Sequence, residues 1–392
     1  MVGNMYPPHH LGGYELVWRA AAEHLRARGD AVRILASDFA LERPDPSIAE
    51  DDDTHRVLRW YWRDHAFPRM GARARLAIER HNASCFDRHV HEFRPDAVCW
   101  WAMGGMSLSL VERARRRGLP ALGVVLDDWP LYAPEVDAWT RALGGRRRAA
   151  RVAERLTGIT TCHSLRGAAR WTFASRVQHD RVRTALRDDG WVDHPGIDAS
   201  LFREAPAEDW RWRLLYCGRV EERKGVDVAV RALAELPQAS LRIDGGGDDR
   251  YQGELARLAA ELGVADRIEF ERSARADLPG AYAAADAVLF PVRWQEPWGL
   301  VPLEAMAVGR PVVASGRGGS GEYLRDGENC LVADPDRGGE AFAEAVRRLA
   351  GDPGLRGRLR AQGFTTAAAH TDDAFTAAIA RRLDDVARAV SA

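Results

Sequence analysis

The sequence predicts an α/β protein made of two doubly wound domains that face each other across a cleft. The chain has 392 residues, which is too long for one ordinary core at about 100 to 200 residues per domain. Short apolar runs rich in Val, Ile and Leu alternate with amphipathic helical patterns, as is typical of parallel sheets covered by helices. A polar stretch at 193–212, before a new apolar run, marks the boundary between the domains.

The apolar runs predict strands in both domains. We expect these strands at 31–36, 97–101, 121–126, 158–162, 214–218, 240–244, 267–270, 287–291 and 311–314. Helices are expected between most of them. The clearest helix spans residues 13–28, because its apolar side chains form one stripe and Gly29 can adopt the left-handed conformation that ends a helix.

The predicted division places residues 1–195 in an N-terminal domain and residues 196–370 in a C-terminal domain. Residues 371–392 have a helical pattern and are expected to cross back to the N-terminal domain. The first strand is short, because the loop at 6–13 follows Met1 closely whereas a buried strand usually has about five or six residues. Either this strand is truncated or the true start of the chain lies upstream.

The composition argues against several classes of protein. The formal net charge is −1, which gives no electrostatic support for nucleic-acid binding. The five cysteines are odd in number and widely spaced, which argues against a disulfide framework or a zinc site. No run approaches the roughly 18 apolar residues of a membrane span, and the N-terminus does not resemble a signal peptide. We therefore expect a cytoplasmic protein.

Lysine occurs once among the 56 basic residues, as Lys224. Arg219 and Lys224 follow the predicted strand 214–218, on a loop that leads into a helix at about Val226. A guanidinium fork, a compact ammonium and free amides at a helix N-terminus all favour a diphosphate. A solvated surface turn is the alternative interpretation of this loop.

Two glutamates follow the predicted strand 287–291. Glu296 lies in the loop, and Glu304 falls inside an otherwise apolar helix. A buried carboxylate needs a partner, which the vicinal hydroxyls of a ribose would provide. A helix-capping or ion-paired glutamate is the alternative. The glycine run 245–247 after strand 240–244 would let a ligand approach the backbone, or is a simple turn.

Together these features resemble the retaining glycosyltransferases of family 4, which have the GT-B fold with two Rossmann-like domains. The resemblance extends along nearly the whole chain. It rests on the loop at 7–13, the pair Arg219 and Lys224, the pair Glu296 and Glu304, and the segments 198–202, 225–232, 281–291, 304–307 and 309–314.

The resemblance implies transfer of a hexose-type sugar from a nucleotide-diphosphate sugar, with UDP favoured and GDP as the second choice. Arg219 and Lys224 would hold the diphosphate, Glu304 the ribose, and Glu296 the hydroxyls of the transferred sugar. The other donor-binding residues that it implies are Gly12, Gly13, Gly218, Arg272, Ser273, Gly299, Leu300 and Val301. The two cations would replace a metal, so neither a metal nor a cofactor is expected, and departure of the diphosphate on the acceptor's face would retain the anomeric configuration.

One position departs from the pattern of the family. Many members carry a histidine directly after the strand that here spans 121–126, whereas this chain has Asp127 followed by Asp128. We expect Asp127 to contact the donor sugar or the acceptor, as a fourth catalytic residue beside Arg219, Lys224 and Glu296. A carboxylate at this position could instead act as a base, which would change the stereochemistry, or cap the strand end.

The acceptor side is predicted from the N-terminal domain. The residues expected at its rim are His9, His10, Met103, Gly104 and Trp129, and the acceptor would be a small molecule, a glycan or a lipid. Trp100 and Trp101 suit the rim or the core equally. Residues 59–80 mix aromatic side chains with Arg, which favours an amphipathic helix hairpin over contact with a membrane surface or a bulky acceptor. The oligomeric state is not specified by the sequence.

Two other classes of function fit the same scaffold. A sugar-nucleotide epimerase or a phosphorylase is one, although a phosphorylase needs a pyridoxal lysine and Lys224 is the sole lysine. A non-catalytic binding or partner protein is the other class. Asp127 in place of the family's histidine and the short first strand favour it.

Overall fold

The computed structural model describes residues 1–63, 66–142 and 147–391, which form two compact units. The first unit contains Met1–His10, Tyr14–Asp193 and Thr376–Ala392, and the second contains Leu11–Gly13 and His194–Phe375. The chain therefore passes from the first unit to the second at 193/194 and returns to the first at 375/376. The predicted boundaries are 195/196 and 370/371.

Each unit contains parallel strands connected by helices. The strands are β1 Ile34–Ser37, β2 Thr54–Leu58, β3 Val98–Trp100, β4 Ala121–Val125, β5 Arg170–Phe173, β6 Trp191–Val192, β7 Arg213–Cys217, β8 Ser240–Asp244, β9 Ile268–Glu271, β10 Ala287–Phe290, β11 Val312–Ala314 and β12 Leu331–Val332. The helices are α1 Gly13–Ala27, α2 Ala72–Phe93, α3 Ser109–Arg116, α4 Trp129–Val136, α5 Ala138–Ala142, α6 Arg147–Thr157, α7 Arg176–Leu186, α8 Val226–Ala234, α9 Asp249–Glu261, α10 Leu278–Ala284, α11 Val301–Val308, α12 Gly339–Gly351, α13 Pro353–Ala368 and α14 Asp372–Ser391.

The sheet of the first unit has the order β2-β1 followed by β3-β4-β5-β6, and the start of the chain joins its two parts. Val2 forms parallel bridges to Leu35 in β1 and to Trp100 in β3. Its N–H donates to the carbonyl of Cys99 at 2.9 Å, and its carbonyl accepts from the N–H of Trp101 at 2.8 Å. The predicted first strand is thus present as a bridge between two longer neighbours.

The sheet of the second unit has the order β12-β11-β10-β7-β8-β9, and all its strands are parallel. Strands β8 and β9 follow β7 on one side of the sheet, and strands β11 and β12 follow β10 on the other. In such a sheet the loops after the two central strands open a crevice at their carboxyl ends. The doubly wound prediction is confirmed for this unit.

The predicted strand at 158–162 is wrong, because this segment forms no strand. Its backbone groups bond to side chains instead of a ladder. Nε1 of Trp139 donates to the carbonyl of Thr160 at 2.8 Å, and the N–H of Thr161 donates to Oε2 of Glu154 at 3.1 Å. The sequence-based prediction also missed four strands, which are β2, β5, β6 and β12. Two of them, β6 and β12, have only two residues each.

Trp100, the last residue of β3, and Trp101, which follows it, belong to the core. Trp100 and Trp101 are both 0% exposed. Trp101 stacks on Trp18 with ring centroids 5.8 Å apart, and Trp100 stacks on Phe86 at 5.9 Å. Between the two interpretations left open by the sequence, the structure selects the core.

The predicted helix hairpin at 59–80 is also wrong. Residues 59–63 and 66–71 are not helical, residues 64 and 65 lie outside the described part of the chain, and α2 is one helix that begins at Ala72. Trp60 and Tyr61 are buried, and Nε1 of Trp60 donates to the carbonyl of Gly104 at 2.9 Å. These two side chains therefore pack inside the first unit, whereas Phe67 is 43% exposed. In the described part of the chain, no helix is long and apolar enough to cross a bilayer.

A buried carboxyl group in the first unit makes its stability depend on pH. Glu79 is 0% exposed and accepts hydrogen bonds from Tyr61 at 2.6 Å, Ser107 at 2.6 Å and Ser109 at 2.5 Å. Burial, reinforced by the nearby Asp137, raises the pKa of Glu79 from 4.5 to about 7. The native state therefore binds this proton more tightly than the unfolded state does. Stability is lost as the pH rises through this interval.

We expect Glu79→Gln to remove part of this pH dependence. A single carboxyl group contributes a slope of at most about 1.4 kcal/mol per pH unit, and glutamine keeps a hydrogen-bond acceptor without the charge. Urea unfolding of the wild type at a series of pH values between about 5 and 7 should show midpoints that fall with pH, and the variant should show a flatter profile. Glu92→Gln, at a side chain that is 53% exposed, is the control. Equal slopes in the wild type and Glu79→Gln would contradict the assignment.

Candidate functional site

The candidate site lies in the second unit, beyond the carboxyl ends of β7 and β10. These neighbouring strands are the two central strands from which the sheet runs in opposite directions. β7 leads into Gly218, Arg219 and the 3-10 turn Glu222–Lys224, and β10 leads into the loop that carries Glu296. Because the carboxyl ends of parallel neighbours meet at one edge, the predicted cations and carboxylates share that edge.

Lys224 and Glu296 form a largely buried ion pair. Nζ of Lys224 lies 2.7 Å from Oε2 of Glu296, and the two side chains are 15% and 10% exposed. Nε1 of Trp294 donates to the same oxygen at 2.7 Å. Two donors therefore fix the direction of the carboxylate. Pairing of β7 with β10 brings the lysine and the glutamate together across 72 positions of sequence.

Arg219 and Arg223 extend the positive charge around this pair. The side chain of Arg219 is 43% exposed, and its guanidinium lies 3.6 Å from the carboxylate of Glu221. The guanidinium of Arg223 lies 4.1 Å from the centroid of the Trp294 ring, in the geometry of a cation–π contact. Arg219 thus keeps an exposed fork beside the strand end, where an anionic ligand can reach it.

Two glycines bring the backbone close on either side of the Lys224–Glu296 pair. Gly225 has φ +71°, and a Cβ at this position would lie 2.0 Å from the carbonyl oxygen of Pro291. The turn that carries Lys224 is thereby packed onto the loop that carries Glu296. On the other side, the N–H of Gly319 donates to the carbonyl of Glu296 at 2.6 Å.

We expect Gly225→Ala to destabilise the second unit and to separate the two loops. A left-handed conformation costs an ordinary residue about 1 to 2 kcal/mol, and the clash with backbone adds to that cost. The matched control is Gly263→Ala, because Gly263 has φ +68° and nothing within 4 Å of an added Cβ. Chemical unfolding should show Gly225→Ala to be the less stable variant by about 2 kcal/mol or more. Equal midpoints would show that the close approach has no energetic consequence.

Glu304 lies in α11 and is 3% exposed. Nη1 of Arg275 donates to its Oε1 at 2.6 Å, and the hydroxyl of Tyr282 donates to its Oε2 at 2.7 Å. The structure matches the ion-paired alternative for Glu304, because the protein supplies this carboxylate with two partners of its own. A carboxylate has about four acceptor positions, so a ribose contact is compatible with both bonds.

The environment of Glu304 fixes the protonation of its partners. Burial lowers the pKa of Arg275, but the charge of Glu304, its hydrogen bond, and the nearby Tyr282 and Cys217 together outweigh burial, so the pKa is raised. Burial raises the pKa of Tyr282 well above its ordinary value, and Cys217 and Glu304 add to the shift. Arg275 therefore stays charged and Tyr282 stays a donor near neutral pH. A carboxylate held in this way has little freedom to reorient.

The N-terminus of α11 faces the same loop. Val301 is the first residue of the helix, Leu300 precedes it, and Gly299 adopts φ +90°. The first N–H groups of a helix have no intrahelical acceptor and carry partial positive charge, which suits a phosphate. The hydroxyl of Tyr323 donates to the carbonyl of Gly299 and holds this turn in place.

The loop after β9 is attached to the end of β8. Asp244 is 2% exposed and accepts from the N–H of Ser273 at 2.9 Å and from its hydroxyl at 2.7 Å. Arg242 donates to Asp244 at 2.6 Å and to the Ser273 hydroxyl at 2.8 Å. This network fixes the main chain at Arg272 and Ser273, two of the predicted donor-binding residues.

The glycine run 245–247 has a structural role that the sequence did not predict. A Cβ at Gly245 would lie 2.0 Å from the carbonyl oxygen of Gly218, and one at Gly247 would lie 2.1 Å from that of Val220. The run therefore lets the ends of β7 and β8 pack backbone against backbone. Gly218 itself has φ +130°, which an L side chain rarely adopts.

Gly12 and Gly13 group with the second unit, although the helix that begins at Gly13 continues in the first. A Cβ at Gly13 would lie 3.1 Å from Cδ1 of Leu300. Gly13 is thus close to Leu300, another predicted donor-binding residue.

Asp127 lies in the first unit, directly after Leu126 at the end of β4. Its Oδ1 accepts from the N–H of Trp129 at 3.1 Å, and its Oδ2 accepts from the hydroxyl of Tyr132 at 3.0 Å. These bonds match the strand-end alternative for Asp127. The neighbouring Asp128 lies 3.0 Å from Arg181. Contact of Asp127 with a sugar stays a prediction.

Two residues predicted at the acceptor rim belong to the core. Met103 and Trp129 are both 0% exposed, and Nε1 of Trp129 donates to the carbonyl of Val124 at 3.3 Å. Their apolar side chains pack in the main core cluster of the first unit. We therefore correct the prediction that these side chains offer an exposed face to an acceptor.

The other predicted rim residues have polar partners. Nδ1 of His9 accepts from the N–H of Leu41 at 2.9 Å, and Nε2 of His10 lies 3.7 Å from a carboxylate oxygen of Asp45. A Cβ at Gly104 would lie 2.3 Å from the hydroxyl oxygen of Tyr132. The histidines are half-buried and stay candidates for acceptor contact.

Three residues of the site were not predicted from the sequence: Trp294, Arg275 and Tyr282. Trp294 stands two residues before Glu296, so its proximity was a usable signal. Arg275 and Tyr282 lie far from Glu304 along the chain, and their charge and hydroxyl are ordinary features of an amphipathic segment. From the sequence alone, many other arginines and tyrosines would have been equally good candidates for the partner of the buried Glu304.

Among the residues that the structure describes, no group of three or more His, Cys, Asp and Glu side chains is arranged to hold a metal ion.

A known family model matches part of the second unit. Residues 211–352 match the family model described as Glycosyl transferases group 1. The chain is 36% identical over 205 residues to a GDP-mannose-dependent alpha-(1-6)-phosphatidylinositol monomannoside mannosyltransferase of Mycolicibacterium smegmatis, covering 46% of this chain and 53% of that protein. It is 34% identical over 212 residues to a D-inositol 3-phosphate glycosyltransferase of Mycobacterium marinum, covering 50% of this chain and 45% of the relative. The chain spans about half the length of the curated relatives it matches.

Solved structures share the fold over almost the whole chain. Sucrose-phosphate synthase from Thermosynechococcus elongatus has a TM-score of 0.73 at 21% identity, covering 99% of this chain and 98% of that one. Anabaena HepE in complex with UDP and glucose has a TM-score of 0.68 at 20% identity, covering 98% of each chain. At these identities the likeness concerns the fold, which is the GT-B fold.

Proposed function

Because residues 211–352 belong to the Glycosyl transferases group 1 family, within a chain of the GT-B fold, we propose that this protein is a retaining hexosyltransferase. Its donor is a nucleotide-diphosphate sugar, and its acceptor is a hydroxyl of a small molecule, a glycan or a lipid. The observation that carries the proposal is the buried pair of Lys224 and Glu296 beyond β7 and β10.

Each part of the donor has a matching group in the second unit. Arg219 and Lys224 hold the diphosphate, and the N–H groups at the start of α11 add partial positive charge. Glu304 accepts the ribose hydroxyls, and Glu296 accepts hydroxyls of the transferred sugar. Lys224 contacts Glu296 already, so one ammonium links the sugar-binding carboxylate to the leaving group.

The reaction moves charge onto the diphosphate, and fixed cations stabilise it there. The bond between the anomeric carbon and the β-phosphate oxygen breaks, and its electron pair stays on the phosphate. The acceptor oxygen bonds to the same face of that carbon, and its proton passes to the departing diphosphate. Preorganised donors of this kind are commonly worth about 10²-fold to 10³-fold in rate each. The step needs no metal.

The choice of nucleotide is tested directly. A relative is named for GDP-mannose and a structural neighbour was solved with UDP and glucose. We favour UDP and keep GDP as the alternative. Thermal shifts with UDP, GDP, ADP and TDP and their sugars identify the nucleotide, because a ligand that binds the folded state raises its melting temperature.

Turnover and stereochemistry are measured with the donor that this screen selects. The full chain is incubated with a panel of acceptor hydroxyl compounds, and the anomeric configuration of the product is read by NMR. Retention supports the same-face mechanism, and inversion would assign Asp127 as a base. Binding without transfer or hydrolysis would instead indicate a non-catalytic protein. EDTA should leave the rate unchanged, and restoration of an EDTA-inhibited rate by Mg²⁺ or Mn²⁺ would contradict the metal-free mechanism.

A further inference from the structure

Helix α6 in the first unit exposes two parallel stripes of different character. Arg148, Arg151 and Arg155 form one stripe, and Ala149, Val152 and Leu156 form the other. All six residues are exposed, with Val152 at 55% and Leu156 at 80%. Spacings of three and four residues align each set along the helix, so the stripes run side by side. We refer to these six residues as the α6 face.

The opposite side of α6 anchors the helix to the first unit. Ala150 is 2% exposed, and its carbonyl accepts from the hydroxyl of Thr161 at 2.8 Å. Glu154 accepts from the N–H of Thr161 and pairs with Arg116 of α3. Because the buried side is fixed by these bonds, the α6 face is held outward.

A groove with more arginines adjoins the α6 face. It has a volume of about 420 Å³ and is lined by Arg113, Arg116, Arg117, Glu154, Arg155, Gly158 and Thr160. Arg155 belongs to both the groove and the α6 face. The carboxylates paired with these arginines are Asp87, Glu112 and Glu154.

The charge of this region differs from that of the chain. The groove and the α6 face contain six arginines, which are Arg113, Arg116, Arg117, Arg148, Arg151 and Arg155, against the three carboxylates named above. The whole chain has a net charge of −1. Positive charge is therefore concentrated where the most exposed leucine of the described residues also lies.

We propose that the α6 face and the adjoining groove bind the surface of an anionic lipid bilayer. A helix that lies in a membrane interface places apolar side chains at the level of the acyl chains and arginines at the level of the phosphates. The two stripes of α6 present these two chemistries side by side. The groove offers further arginines to lipid headgroups. This proposal does not depend on the glycosyltransferase activity.

Two other occupants fit the surface less well. Nucleic acid would bind the arginines through its phosphates but would leave Val152 and Leu156 without a partner. A second copy of the chain, related by a two-fold axis, would place the same arginines against each other. An anionic bilayer satisfies the positive charge and covers the apolar stripe at once.

Co-sedimentation with vesicles tests the proposal on the full chain. We expect binding to vesicles that contain phosphatidylglycerol, little binding to pure phosphatidylcholine, and weaker binding at higher salt. Combined Arg148→Gln, Arg151→Gln and Arg155→Gln should lower the partition coefficient on the order of 100-fold, since each arginine near the surface contributes roughly fivefold. Combined Val152→Ser and Leu156→Ser should lower it about tenfold or more.

The controls lie on the second unit and change the same kinds of side chain. Arg250→Gln removes an arginine that is 73% exposed, and Val332→Ser removes a valine that is 42% exposed. Both should bind vesicles as the wild type does, and unchanged melting temperatures show that every variant is folded. Absence of binding to the anionic vesicles, or equal binding by the α6 variants, would overturn the proposal. Retention of an oligonucleotide without vesicle binding, or a dimer dissociated by the α6 substitutions, would assign the surface to those partners instead.

Discussion

Lys224→Arg is expected to lower kcat for sugar transfer on the order of 100-fold, with a much smaller effect on stability. Lys224 places a compact ammonium 2.7 Å from Oε2 of Glu296, where Nε1 of Trp294 also binds. A guanidinium is wider and planar, so it cannot occupy this position without moving the carboxylate or the indole. The charge is kept, so loss of activity would report geometry.

The measurement is kcat with the selected nucleotide sugar, together with the melting temperature of each variant. Arg250→Lys is the matched control, because it makes the reverse exchange at a side chain that is 73% exposed. It should leave kcat unchanged. If Lys224→Arg has the activity of the wild type, the ammonium has no special role and the leaving-group assignment fails.

Glu304→Ala is expected to weaken nucleotide binding and also to destabilise the second unit. The substitution removes the proposed ribose acceptor and breaks the buried ion pair with Arg275. Removal of one partner from a buried ion pair commonly costs about 3 to 5 kcal/mol. Two effects are thus combined in this variant, and they have to be measured separately.

Arg275→Leu separates the two effects, because it breaks the same ion pair but keeps the Glu304 carboxylate. Chemical unfolding should show that both variants lose stability. Calorimetric titration with the nucleotide, below the unfolding transition, should show the larger loss of affinity for Glu304→Ala, on the order of tenfold or more for a hydrogen bond to a charged group. Unchanged affinity in folded Glu304→Ala would discredit the ribose assignment and leave Glu304 with a structural role.

The site was predictable where its residues follow strand ends. Lys224 and Glu296 could be found because each stands in a loop after an apolar run, and parallel strands bring such loops to one edge. Their direct contact was not predicted, because it depends on β7 and β10 being neighbours. The partners of Glu304 were missed for a similar reason. Tyr282 reaches it through the packing of α10 against α11, and Arg275 reaches it from the 3-10 turn before α10.

The errors in the fold have physical causes of the same kind. Residues 158–162 have the composition of a strand, but Trp139 and Glu154 bond to their backbone and the segment lies outside the sheet. Met103 and Trp129 follow strands, as residues of a rim would, but the core of the first unit contains their side chains. Hydrophobic periodicity describes one segment at a time. It carries no information on side chains from elsewhere in the chain that bond to the backbone of that segment or pack against it.

The sequence by itself determined the α/β class and the loops that carry Arg219, Lys224, Glu296 and Glu304, because hydrophobic periodicity and glycine placement act locally. The tertiary structure decided which of these groups touch. The ion pair of Lys224 with Glu296 requires β7 beside β10, and the pairing of Glu304 with Arg275 requires the 3-10 turn before α10 to lie against α11. Such contacts join residues far apart in the chain, so their energies depend on the packed arrangement of the strands and helices.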